Sequence, residues 1–225
     1  TNDVLLEKRS FFQRSKTIPL AEIDEVESFQ IDQLFTGDLT NEGSLREFIS
    51  SLRPISDKRE KAFIDHQLAN AEKKYMQRFF YQFWVKRSPN NPAEEWRIYK
   101  QQVELVEKNY GTRIKKGYET DRGRIHLKYG TPDDLHHSEH EPSAYPYEIW
   151  FYYKADDERN KKFVFYNPDL AGNDYQLLHS DVTGELRTPN WERYLNKRNN
   201  TLYNQDLDFS DDQWGSRARE IYDQH

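Results

Sequence analysis

Cysteine is absent from this 225-residue chain. Its absence removes disulfides, thiol nucleophiles and cysteine metal sites together, and it suits an exported protein as easily as a cytosolic one. Glycine is sparse: nine residues are spread along the chain, with no phosphate-binding glycine loop, dinucleotide fingerprint or G-x-S-x-G nucleophile elbow. No apolar run approaches the ~20 residues that span a bilayer, so no transmembrane segment is expected. The chain opens T-N-D-V-L-L-E, with neither an initiator Met nor a signal-peptide pattern. Any export signal is therefore expected upstream of Thr1.

What is abundant is charge and aromatic surface. The mean hydropathy is −1.10, yet 15% of the residues are Phe, Tyr or Trp. Disordered chains are poor in aromatics, so a core built largely from large rings is expected. The net charge of −6 is unevenly spread, with 17 Lys and Arg against 10 Asp and Glu between Asp57 and Gly130. No nucleic-acid motif accompanies this basic middle, so it reads as solvated faces or as a seat for acidic flanks. No nucleic-acid partner is expected.

The period of the apolar residues places the elements. Residues 1–43 read as an extended arm, with one strand candidate at Val4–Phe12. Ser44 to Glu47 matches a capping box and opens a short helix ending before Pro54. Ile64, Leu68, Ala71, Tyr75, Phe79 and Phe83 step by three or four, predicting one long helix from about Asp57 to Val85. Asn91-Pro92-Ala93-Glu94 supplies an N-cap and a first-turn proline. Trp96 to Tyr110 then keep helical spacing, with Gly111 as the C-cap. The short linker makes these two helices a hairpin.

From Gly117 the period changes to two, and Arg124–Tyr129 reads as a strand. Tyr147–Tyr153 and Lys162–Tyr166 are apolar on both faces, as central strands are, and Tyr175–His179 is a fourth. After residue 185 the chain is polar, with helical candidates near Trp191–Lys197 and Asp211–Tyr222. The fold class expected is α+β. An antiparallel helix hairpin packs on a mainly antiparallel sheet within residues 44–185, between the extended arm and a polar tail at 186–225. The tail, poor in core residues, is expected to be separable from that domain.

Three constellations are candidates for function. Asp121, Arg122, Arg124, His126 and Glu148 hold acid, base and guanidinium groups suited to proton transfer or to an anionic ligand. If their strands neighbour each other, Arg124 and Glu148 share a face and form an ion pair. His136, His137 and His140, among Asp133, Asp134, Glu139 and Glu141, are of metal-ligand type. However, they lie in a predicted loop without the H-E-x-x-H helix, and a solvated polar loop is the plainer reading. No cofactor is called for. Of the five tryptophans, Trp214 is the first candidate for a partner contact, followed by Trp191.

With these elements in place, the chain resembles a known family. Gly117-Tyr-Glu-Thr-Asp121, followed by R-G-R-I and Y-G-T-P-D-D, resembles the GWxTD domain. The similarity runs from F-Y-Q-F-W-V-K-R-S-P-N at residues 80–90 through P-Y-E-I-W-F-Y at 146–152 to Y-Q-L-L-H-S at 175–180. The motif tryptophan is Tyr118 here, which preserves an amphipathic ring but not an indole. The resemblance implies an exported bacterial protein, periplasmic or outer-membrane-associated, and it carries no established reaction. The expectation is a non-catalytic envelope domain that binds a protein partner or supports assembly. The alternative is a metal-dependent or acid/base enzyme using the Asp121–Glu148 region and the His136–His140 loop.

Overall fold

Four helices begin at residues whose side chains bond the first turn. Asn41 accepts from Ser44 N–H at 3.0 Å, so helix α1 (Glu42–Ser51) starts earlier than the Ser44 box suggests. Asp57 and Glu60 form a reciprocal capping box at α2 (Lys58–His66). Asn91 accepts from Glu94 N–H at 3.3 Å at α4 (Pro92–Tyr110), and Thr120 caps α5 (Asp121–Tyr129). Each cap contributes about 1 kcal/mol by satisfying a backbone donor that the helix leaves open.

The computed structural model describes residues 35–36, 39, 41–141, 144–170, 172–196 and 217–224. The strand candidate at Val4–Phe12 and Trp214 lie outside them. The described residues form two compact units, divided between Glu104 and Leu105 inside α4.

In the first unit, the long helix expected over 57–85 is two helices. After α2 the chain makes a 3-10 turn at Leu68–Asn70 and then two extended residues, Ala71 and Glu72, before α3 (Lys73–Arg87). No proline or glycine marks the break. It lets Leu68 be buried while its carbonyl accepts from Arg46 Nε–H at 3.3 Å. The short connection to α4 is as expected, and rings fill the space behind it. Trp96 meets Phe80 at 4.9 Å and Trp84 at 5.7 Å between centroids, and Tyr99 meets Trp84 at 5.5 Å. Tyr99 Oη–H donates to Ser51 O at 2.7 Å, so its one polar atom is satisfied inside an apolar cluster.

The second unit carries the sheet, in the order β1 (Asp134–Ser138), β2 (Tyr147–Ala155), β3 (Glu158–Tyr166), β4 (Gln176–Ser180), antiparallel throughout. Alternation sends Trp150 and Tyr152 to one face with Phe163 and Phe165, where Ile125 and Tyr129 of α5 and Tyr110 of α4 cover them. Tyr147, Ile149, Phe151 and Val164 face the other way, beneath α6 (Trp191–Leu195) and α7 (Ala218–Gln224). Every residue from Tyr147 to Tyr152 is consequently buried, as the two-sided apolar run implied.

Two sequence readings change here. Arg124–Tyr129 is helix: in so short a run, Ile-x-Leu-x-Tyr fits either period. Thr120 as N-cap and Gly130 at φ +88° as C-cap decide for α5. The tail, expected to be poor in core residues, contributes Trp191, Leu195, Ala218 and Ile221 to the buried cluster on the far face.

Candidate functional site

Backbone contact comes first in the G-Y-E-T-D segment. A Cβ on Gly117 would lie 2.5 Å from Val106 O and 2.6 Å from Glu107 Cα, and one on Gly123 would lie 1.9 Å from Gly117 O. Real Cβ atoms do not approach so closely, so both positions need glycine for room rather than for dihedral freedom. Gly117 N–H donates to Glu107 Oε2 at 2.5 Å. Thr120 Oγ1 donates to Gly117 O at 2.7 Å and accepts from Gly123 N–H at 3.1 Å. Asp121 Oδ2 accepts from Leu177 N–H at 2.8 Å, fastening the start of α5 to β4. The segment is a joint between the end of α4, α5 and the sheet.

At the second residue of α5, Arg122 is 4% exposed, and Glu148, on β2, is 6% exposed. Arg122 Nη1–H donates to Glu148 Oε1 at 2.7 Å, and Trp150 Nε1–H donates to Glu148 Oε2 at 2.8 Å. Arg122 Nη2 also bonds the carbonyl and the side-chain oxygen of Asn173. The guanidinium lies over the rings of Tyr175, at 4.1 Å, and Tyr110, at 5.0 Å. Burying a charge is costly unless it is paired and bonded; these contacts supply most of the compensation, and Arg122 Nε–H alone of the guanidinium is buried without a partner among the described residues. Burial, with the Glu148 charge, pushes the Tyr110 hydroxyl up to about 12, so it stays protonated as a neutral neighbour.

The expected Arg124–Glu148 pair is therefore made by Arg122. Arg124 instead reaches Glu185, at 2.8 Å. Glu185 also accepts from Lys128 Nζ at 2.7 Å and Tyr129 Oη at 2.8 Å. Burial opposes the Glu185 charge, but Lys128 and Arg124 outweigh it and hold the carboxyl below its usual range. His126 is buried next to Tyr110, and burial pushes its pKa down to about 4. A neutral ring packed in the core is its role in the fold.

The histidines do not act as one group. His137 stands opposite Glu148 across the β1–β2 pair, with Nδ1 3.3 Å from Glu148 Oε1 and Nε2 3.0 Å from Glu139 Oε1. His136 points to the other face, beside Tyr147, and the His140 side chain is 91% exposed. Among the described residues, no group of three or more His, Asp or Glu side chains could hold a metal ion. Trp191 is 2% exposed and stacks on His179. It offers no surface to a partner in this fold.

What emerges is a line running Glu139, His137, Glu148, Arg122 and Asn173, exposed at both ends and buried at Glu148 and Arg122. Asn173, Tyr175 and Tyr110 were not anticipated from sequence. Reading residues 121–129 as a helix would have placed Arg122, Ile125, His126 and Tyr129 on its inner face and pointed to them. The GWxTD domain is the family whose model matches the chain, over residues 33–195. No curated protein and no solved structure matches it.

Proposed function

The chain belongs to the GWxTD domain family, and we propose that it is a non-catalytic binding domain engaging a protein partner in the bacterial cell envelope. The observation that carries this reading is where the motif spends its bonding capacity. Gly117, Thr120, Asp121, Arg122 and Glu148 direct their polar groups at one another, at Glu107, Asn173 and Trp150, and at the backbone of β4. A catalytic group needs a bonding position left for substrate. Here the motif builds the scaffold, and work falls to the outward surfaces. The envelope setting rests on the family resemblance of the sequence.

One contact favours the alternative. His137 meets a buried carboxylate, Glu148, with one ring nitrogen, the pairing that orients a general base. Its other nitrogen is engaged by Glu139, an exposed group that a substrate would displace. The two readings separate in one experiment: affinity capture from the native host's solubilised envelope, with cross-linking. A stoichiometric protein partner supports the binding domain. A protein recovered alone moves the weight to His137 and Glu148.

A further inference from the structure

Two aliphatic side chains stand in water on adjoining loops of the second unit. Ile114 is 94% exposed and Leu170 is 50% exposed. Scattered apolar residues on a surface are ordinary, but these two are held out by their loops. The 112–115 turn is braced by its own threonine: Thr112 Oγ1 accepts from Ile114 N–H at 3.2 Å and from Lys115 N–H at 2.9 Å, and Thr112 N–H donates to Lys115 O at 3.0 Å. Leu170 sits at φ +59°, a left-handed conformation that costs a leucine more than a glycine. The buried Asn167 braces that turn through Asp169 N–H and Gly172 O.

The two loops are tied together. Lys115 Nζ pairs with Asp174 Oδ2 at 2.7 Å, and Asn173 Nδ2–H donates to Asn109 O at 2.9 Å. Around Ile114 the sequence is Arg113, Lys115 and Lys116, all exposed. Of the nearby carboxylates, Asp174 is taken by Lys115, while Glu107 and Glu119 accept from the backbone N–H groups of Gly117 and Lys116. Asp169 stands exposed beside Leu170.

We propose that Ile114 and Leu170 are twin insertion tips that dock this unit on an anionic phospholipid surface. Protruding aliphatic tips suit the acyl boundary of a lipid layer, and adjacent Arg and Lys side chains suit its phosphate plane. This contact is separate from the protein partner proposed above and is tested without one.

The test is co-sedimentation of the purified full chain with vesicles containing phosphatidylglycerol, beside vesicles of phosphatidylcholine alone. The expected result is binding to the anionic vesicles that weakens several-fold in high salt. Ile114→Ser with Leu170→Ser should lower the partition at least about ten-fold, given the apolar area removed from the tips. Arg113→Gln with Lys116→Gln should reduce binding to anionic vesicles only. All four side chains are exposed, and circular dichroism checks that each variant folds. As an independent readout, Ile114→Trp emission should shift to the blue on adding anionic vesicles. Wild-type protein left in the supernatant, equal binding to neutral vesicles, or a serine variant that sediments like wild type overturns the proposal.

Discussion

Replacing Arg122 by methionine leaves Glu148 with its charge inside the fold. It keeps the Trp150 indole and the His137 ring as neighbours but loses the cation at 2.7 Å. Removing one partner of a buried pair costs roughly 3–5 kcal/mol, mostly the penalty of the charge left behind. Asn173 loses its guanidinium donor in the same step, which adds to the cost. In a chain of this size each kcal/mol moves the melting temperature by about 2–4 °C, so R122M should melt roughly 6–20 °C lower. E148M should also destabilise strongly, because it strands the guanidinium. The double variant removes both charges, and its cost should fall short of the sum of the two singles by about 1–3 kcal/mol. Urea unfolding followed by circular dichroism on the four proteins closes the cycle. Near-wild-type stability of R122M, or strict additivity, would refute a structural role and return the pair to the candidates for chemistry.

Gly123→Ala should lower stability by about 1–3 kcal/mol or prevent folding, since its Cβ would meet Gly117 O at 1.9 Å; wild-type melting would show that the joint is loose. Thr120→Ala should cost about 1 kcal/mol and Thr120→Ser little, read from urea midpoints; equal midpoints for both would contradict the cap. Burial holds His126 near pKa 4 and lowers that of His179. At these two rings the unfolded chain thus takes up protons from about pH 6.5 downward, and the folded chain only at lower pH. Stability should decline as pH falls from about 6.5 towards 4, by up to ~3 kcal/mol for His126, and His126→Gln should flatten the profile; an unchanged slope would place the effect elsewhere. Ile221→Ala should cost about 2–4 kcal/mol in thermal melts, because α7 contributes to the sheet's far-face core; no shift would restore a separable tail.

Residues 147–166 were readable as a central hairpin because burial on both faces leaves an unbroken apolar run, a signal that depends on nothing distant. The start of α4 was equally plain, since Asn91, Pro92 and Gly111 act locally. The misreadings have two causes, a choice made by tertiary contact and local caps that a short alternating run conceals. Nothing near Leu68 announces a break, because what breaks the helix is the burial of Leu68 and its carbonyl's bond to Arg46. Residues 124–129 alternate well enough for a strand, and only the caps at both ends, with the close approach of Gly123 to Gly117, make them a helix. Once that segment is helical, Arg122 replaces Arg124 as the partner of Glu148. The acid, base and guanidinium groups of the site were thus named from sequence, but their pairing was not. Trp191 is the second partner-contact candidate of the sequence, in a stretch whose polar neighbours do not show what covers it. It is buried by α7, nearly thirty residues further along.

The central claim is that the motif and its buried ion pair build the scaffold while partner binding occurs elsewhere. The most direct test is cross-linked capture from the native envelope using wild type and the R122M/E148M double variant, both first shown to be folded. The account predicts one stoichiometric protein partner, recovered equally with both, with cross-links away from residues 117–123 and 148. A folded double variant that loses the partner, or a wild-type protein recovered with none, would contradict it.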